Sequence, residues 1–280
     1  GLCFGLLGPN GAGKTTILRL VYGVIQPTRG QVRVFGWDVV QQTRAVRARL
    51  GVMLQDNVMI ENLTPRDNLH IFGRHHLIPE EVLSKRIDVL LEFLELGSQA
   101  NMQVLKLSGG FKRRLAVAMS LVNQPELLIL DEPTTGLDPA VRHALWSKIR
   151  QLKADGKTIL LTTHYMDEAE RLCDQVMIIS DGKSIRQGAP RELIKSQLHP
   201  EAIEFDCTEA EEFELFACLA NRCVKLRSGN RLMIFAQDIT PVLDAMSQLD
   251  RGNRRPVIVR PTNLEDVFLS VTGAQLRDGQ

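Results

Sequence analysis

Gly8-Pro9-Asn10-Gly11-Ala12-Gly13-Lys14-Thr15, followed by Thr16, satisfies the spacing G-x-x-x-x-G-K-[ST]. Glycines at these positions let successive backbone N–H groups turn inward around phosphates. A helix starting at Gly13 adds the partial positive charge of its N-terminus. Lys14 is placed to reach the β- and γ-phosphates, and the Thr15 hydroxyl to sit on Mg²⁺. A second constellation is Leu127-Leu128-Ile129-Leu130-Asp131-Glu132. A continuous apolar run delivers two acids at its C-terminal end, where open α/β sheets bind ligands. Asp131 suits the metal, through water, and Glu132 is placed to polarise an attacking water. A third is Leu105 to Gly110, "LKLSGG", where Ser108, Gly109 and Gly110 bring a hydroxyl and two N–H groups to a helix N-terminus. One nucleotide needs one phosphate cradle, so a second cradle in the chain asks for a partner molecule.

The elements that must position these residues alternate. Leu2 to Leu7 are the residues available for the strand feeding the loop, and Gly13 to Tyr22 reads as the helix after it. "PTRGQVRVFG" reads as a turn and a strand with Val32 and Val34 on one face and Arg33 on the other, and "RLGVMLQDN" as a strand ending in a polar loop at Gln55. Residues from about 62 to 122 change to helical patterning. Leu83, Ile87, Leu90, Leu91 and Leu94 fall on one helix face, and Pro79-Glu80-Glu81 is a helix start. Strands then return at "LLILDEP", "KTILLTTH" and "QVMIIS", with a helix from about Ala140 to Ala154, capped by Asp138-Pro139, and another from Met166 to Leu172 between them. This order predicts a mostly parallel α/β sheet with an inserted helical subdomain. A boundary is placed at 196–202, "SQLHPEA". Beyond it the order βαββαβα predicts a small ferredoxin-like α/β unit over 200–280.

The bulk numbers narrow the function class. Of 280 residues, 44% are hydrophobic and 24% charged, as in an ordinary globular chain, and the net charge of +1 supplies no pull toward nucleic acid or anionic lipid. The densest basic run, Lys112-Arg113-Arg114, reads as a solvated helix face. No apolar run approaches the roughly eighteen residues of a membrane span. Cys3, Cys173, Cys207, Cys218 and Cys223 form no C-x-x-C pair, which points to reduced thiols. Cys218 and Cys223 lie close in sequence, but no matching His/Cys pair follows and zinc is not expected. His70, His75, His76, His143 and His199 read as structural.

The phosphate loop, Gln55, "LSGG", "LILDEPTTGLDP" and His164 in "TTHYMDEAE" occur in the order found in ABC ATPases, and over residues 1–195 the chain resembles that family. The resemblance implies a P-loop ATPase fold of ABC type over 1–197 that binds ATP and Mg²⁺ and hydrolyses ATP. It also implies a head-to-tail dimer with a second ATPase subunit. There Ser108, Gly109 and Gly110 contact the γ-phosphate held by the other subunit, and Asp138 crosses the interface. Gln55 senses the metal and the attacking water, and His164 contacts the γ-phosphate and orients Glu132. Phe111 stands where the family usually has Gln. With "KRRLAVAMSLVNQPELLILDEPTTGLDP" and the C-terminal "RPTNLEDVFLSVTGAQLRD", that departure is similar to the drug-resistance and nodulation-factor exporter branch. The branch implies a subunit at the cytoplasmic face of the plasma membrane that energises a separate membrane permease, which docks on the helical block. The cargo is of drug, lipo-oligosaccharide or polysaccharide type. The other reading, a soluble ABC ATPase on ribosomes or DNA, fits worse: those families carry two cassettes or a long coiled-coil insertion, and no basic stripe marks a nucleic-acid partner here. In the family an aromatic residue upstream of the loop stacks on adenine. Phe4 is the sole aromatic before Gly8 and sits in the buried strand, so the adenine shelf and its strands are expected to be missing.

Overall fold

The computed structural model describes residues 1–56, 58–219, 223–249 and 256–273. The chain divides into two compact units, Gly1–Ser184 and Ile185–Gln280. In the first unit the strands are β1 (Cys3–Leu7), β2 (Arg33–Val34), β3 (Trp37–Asp38), β4 (Leu50–Met53), β5 (Leu127–Asp131), β6 (Thr158–Thr163) and β7 (Gln175–Ser180). The helices are α1 (Lys14–Val21), α2 (Thr43–Ala48), α3 (Pro65–His75), α4 (Glu80–Phe93), α5 (Gly109–Leu121), α6 (Pro139–Ala154) and α7 (Met166–Leu172). A further strand, β8 (Lys183–Gly188), starts in this unit and borders β7.

The main sheet runs β4-β5-β6-β1-β7-β8, with β4, β5, β6, β1 and β7 paired in parallel. Its central strands are apolar because both faces are covered: Leu128, Ile129 and Leu130 are fully buried, as are Ile159 and Leu161. Register sets function here. Leu7 lies beside Thr163 and Asp131 beside Thr162, so β1, β5 and β6 end together at one sheet edge. Each end passes directly into a site residue: Gly8, Glu132 and His164. One face is filled by Leu6, Leu18, Val46, Ile129 and Ile179, and Phe4 packs against that cluster.

Between β4 and β5 the chain leaves the sheet as helices α3, α4 and α5, which pack on one another, and returns to the neighbouring strand. The start of α3 is fixed locally. Thr64 and Asp67 form a reciprocal capping box and Pro65 occupies the first turn. Leu83, Ile87, Leu90, Leu91 and Leu94 are all buried, as their spacing predicts. The strand read in "PTRGQVRVFG" is shorter than its pattern, because only Arg33–Val34 pairs, in a hairpin with Trp37–Asp38.

The second unit holds α8 (Pro190–Gln197), β9 (Glu201–Asp206), α9 (Glu209–Cys218), β10 (Cys223–Ser228), β11 (Arg231–Ala236), α10 (Thr240–Leu249), β12 (Val257–Pro261) and α11 (Leu264–Thr272). Its sheet runs β10-β11-β9-β12 and every pair is antiparallel, which is the ferredoxin-like order. Ile203, Phe205, Leu232, Ile234 and Val242 fill one face. Arg260 donates to both carboxylate oxygens of Asp266 at 2.7 Å and also pairs with Glu204. The division falls before 196–202 because α8 packs against α11. The sequence reading places no helix at α8 or at α2; α2 spans six residues and has no side-chain cap. Cys223 is half-buried, and the side chain of Cys218 lies outside the described residues.

Candidate active site

The phosphate loop is built by backbone conformation. Gly11 has φ 82° and Gly13, which caps α1, has φ 103°, both in the region that disfavours a side chain. Gly8 is needed for a different reason: a Cβ there would lie 2.4 Å from the Ile179 carbonyl oxygen. Lys14 is buried, and its ammonium donates to the Gly8 carbonyl at 2.7 Å and to the Pro9 carbonyl at 3.3 Å. The loop and its helix line a cleft of about 290 Å³ with Asn10, Gly11, Ala12, Gly13, Lys14, Thr15 and Thr16 on one side and Gln55 and Glu132 on the other.

The two acids stand at the end of β5 and differ in setting. Asp131 is buried; it accepts from the Thr15 hydroxyl at 3.3 Å and from the Thr162 hydroxyl. Glu132 leaves the strand at φ 49°, a left-handed conformation that costs a non-glycine residue on the order of 1–3 kcal/mol. The surroundings hold it there. Its N–H donates to the Thr162 hydroxyl at 3.0 Å and to the Thr162 carbonyl at 3.1 Å. Its side chain then meets Lys14 at 3.6 Å and His164 Nδ1 at 3.2 Å, and accepts from the Thr135 hydroxyl at 3.1 Å. The approach of Nδ1 is close but not well directed as a hydrogen bond. These neighbours, His164 first, then Lys14 and Thr135, hold the Glu132 carboxyl at about 2 against the opposing effect of burial. Glu132 is therefore ionised at neutral pH. Its pKa is depressed, so its contribution to stability is present above about 4.5 and is lost as pH falls toward about 2.

Arg113 is the residue that the sequence reading misplaced. It lies in a basic run read as a solvated face, yet only Lys112 and Arg114 behave that way, pairing with Glu61 at 2.8 Å and Glu95 at 2.9 Å. Arg113 is buried and points under the site. Its guanidinium donates to the carbonyls of Pro133 at 2.8 Å, Gln55 at 2.7 Å and Asp131 at 3.3 Å, and also to that of Glu132. One planar fork thus ties the Gln55 segment to the turn that carries both acids. Burial lowers its pKa, and the nearby carboxylates oppose that. Glu168 is a second brace absent from the sequence reading. It is buried on α7 and accepts from the Thr134 hydroxyl and the Trp146 indole, both at 2.8 Å, so it ties the segment after Glu132 to α6 and α7.

Ser108, Gly109, Gly110 and Asp138 do not line this cleft. Ser108 precedes α5 and is exposed, with a hydroxyl that makes no bond to its own helix. Gly110 packs close to α6, where a Cβ would lie 2.9 Å from Val141. Asp138 caps α6, accepting from the Val141 N–H at 3.0 Å. Within one chain there are thus two groups: the loop with Gln55, Asp131, Glu132 and His164, and a second surface of Ser108 to Gly110 beside the start of α6.

Comparison with known proteins adds to this. The ABC transporter profile matches residues 1–135, and that of the C-terminal domain of nodulation factor export protein NodI matches residues 213–273. The Nod factor export ATP-binding protein I of Ralstonia nicotianae is 44% identical over 282 residues, covering 99% of this chain and 87% of that protein. The protein so named in Rhizobium johnstonii is 45% identical over 277 residues, covering 99% and 88%. Among solved structures, the ATP-binding subunit of an ABC transporter superposes with TM-score 0.63 and 29% identity over 70% of this chain and 81% of its own. A dimeric ATP-binding cassette in a post-hydrolysis state with ADP and Pi superposes with TM-score 0.61 and 26% identity over 67% and 85%.

Proposed function

The chain belongs to the ABC transporter ATP-binding family, and on that premise we propose that it is the ATP-hydrolysing subunit of an exporter, driving a separate membrane permease whose cargo is of lipo-oligosaccharide class. The observation that carries the hydrolytic part is the cleft in which the phosphate loop, Gln55 and an ionised Glu132 meet, with His164 against Glu132. The cargo class rests on the similarity, over 99% of this chain, to Nod factor export proteins.

The residues divide the work. The N–H groups of Gly11 to Thr16 and the Lys14 ammonium hold the β- and γ-phosphates. Glu132 orients and polarises the water that attacks the γ-phosphorus, whose bond to the bridging oxygen breaks to leave ADP; the proton of that water ends on the phosphate product. His164 fixes Glu132 and faces the γ-phosphate. The donors for Mg²⁺ fit a hard cation: the Thr15 hydroxyl and the Asp131 carboxylate lie together, with Gln55 in the same cleft. When bound, Mg²⁺ neutralises charge developing on the phosphate oxygens. Ser108, Gly109 and Gly110 of a second copy complete the site, which accounts for a Ser108 hydroxyl unused by its own helix. Asp138 lies beside that surface and crosses to the other copy. This chemistry is assigned to residues 1–197, and 200–280 are an accessory domain.

Among the described residues no helix is long and apolar enough to cross a membrane, which agrees with the separate permease proposed here. A cleft of about 350 Å³ beside Gln55, lined by Val52, Leu54, Val58, Met59, Phe72 and Met119 among others, offers the apolar seat for a cytoplasmic helix of that permease. It lies between β4, α3 and α5, next to the segment that Arg113 couples to Glu132. The subunit accordingly works at the cytoplasmic face of the plasma membrane. The test is Val58→Glu, a change at an exposed position that places charge in the seat. The variant keeps its own ATP hydrolysis within about two-fold of wild type and fails to co-purify with a co-expressed permease that the wild type retains. Full co-purification with coupled transport contradicts the docking assignment.

A further inference from the structure

The two edges of the four-stranded sheet in the second unit are finished differently. At the β10 edge stand Lys225 and Arg227, both paired with Glu212 at the surface. Charged side chains of this kind are how proteins blunt a sheet edge. At the other edge stands β12, which pairs with β9 on one side and with no strand on the other among the described residues. Its sequence there is Val257-Ile258-Val259, and these are 37%, 46% and 53% exposed.

The free hydrogen-bonding groups of β12 are set by its ladder with β9. The N–H of Thr262 donates to the Pro200 carbonyl, which continues the β12–β9 pairing by one step. Antiparallel pairs alternate between bonded and non-bonded. Arg260 and Ile258 therefore bond to β9, and Val257 and Val259 turn their N–H and C=O groups outward. Pro261 has the outward parity as well but has no N–H, so donors on the open edge come from Val257 and Val259 over Val257–Pro261.

We propose that β12 pairs antiparallel with β12 of a second copy of this chain, about a two-fold axis at Ile258. In that register Val257 of one copy faces Val259 of the other, and each outward N–H meets an outward C=O. The edge is thus its own complement, as a two-fold interface requires. The side chains agree. Val257 and Val259 lie on the face of β12 that continues the core of Ile203 and Phe205, so four valines from two copies form one apolar strip. Arg260 falls opposite Pro256 of the other copy and is already neutralised by Asp266 and Glu204. Among the described residues no like charges meet. A strip this short is far below the area of a self-sufficient interface. It joins copies weakly in solution and strongly where a permease or bound nucleotide already holds two together. It needs neither Lys14 nor Ser108, and so differs from the ATP sandwich proposed above.

The test uses the register. Directly opposed residues of a non-bonded antiparallel pair have Cα atoms about 4.5 Å apart, within the range a disulfide accepts. Full-length Ile258→Cys, oxidised without nucleotide, is expected to form a covalent dimer through residue 258 of both copies, located by peptide mass. Oxidation captures even a weak pair. The same change on the opposite edge, Val224→Cys, is expected to give little. Adding Ser108→Arg to Ile258→Cys leaves the link unchanged. Absence of the 258–258 link, or equal linking at both edges, overturns the proposal. If linking at 258 appears only with ATP and disappears with Ser108→Arg, the contact is secondary to the sandwich and the proposal also fails.

Discussion

Glu132→Gln slows turnover by roughly a hundred-fold or more while ATP binding persists or tightens. The loss follows from charge. Glu132 is held ionised by His164 and Lys14, with its carboxyl at about 2, and a neutral amide cannot polarise water in its place. The gain in binding has the same origin. An anionic carboxylate 3.6 Å from Lys14 competes with phosphate for that ammonium, and the amide does not. The amide still accepts from Thr135, so the turn keeps its shape. Steady-state hydrolysis and equilibrium nucleotide binding check the two halves separately. A variant that retains half the wild-type rate removes Glu132 from the chemistry.

Arg113→Met lowers stability by about 3–5 kcal/mol and turnover with it, the range for removing a buried charged hydrogen-bond partner. Four carbonyls, those of Gln55, Asp131, Glu132 and Pro133, lose their donor at once. One of them belongs to a residue in a left-handed conformation that the surroundings must enforce. Arg113→Lys is expected to recover stability only in part, since an ammonium cannot reproduce the planar fork. Urea unfolding measures the first effect and the hydrolysis rate of the folded fraction the second. A variant as stable and as fast as wild type leaves Arg113 as packing alone.

The contrast between Arg113 and Lys14 shows what a sequence can tell. Lys14 works in a loop whose shape depends on nearby glycines, so its role is local and its spacing exposes it. Glu132 is similar, because an apolar run ending in two acids marks a buried strand opening onto a ligand. Arg113 depends on where β4 and β5 bring Gln55 and Pro133, which are distant in sequence. Its neighbours Lys112 and Arg114 really are surface ion pairs, so the run looks uniform from outside. In the second unit the alternation of Ile203, Phe205, Leu232 and Ile234 makes the strands legible, and their order identifies the ferredoxin-like sheet. The open side of β12 is not legible, because edge position is a property of the finished sheet. Short α2 escapes notice because six residues carry too little periodicity. For α8 the signals were present, with Pro190 in its first turn and Glu192 close behind.

The central claim is that each ATP is held by the loop of one copy and by Ser108 to Gly110 of another. Two variants in the Glu132→Gln background test it: one adds Ser108→Arg and the other adds Lys14→Ala. Neither alone should form a nucleotide-trapped dimer. Mixed, they pair an intact loop on the first with an intact Ser108 surface on the second, while the other site of the dimer is broken twice. The account predicts a mixed dimer that retains one ATP. If Ser108 served the loop of its own copy, both chains in the mixture would be damaged, and a mixed dimer that traps no ATP would contradict the shared site.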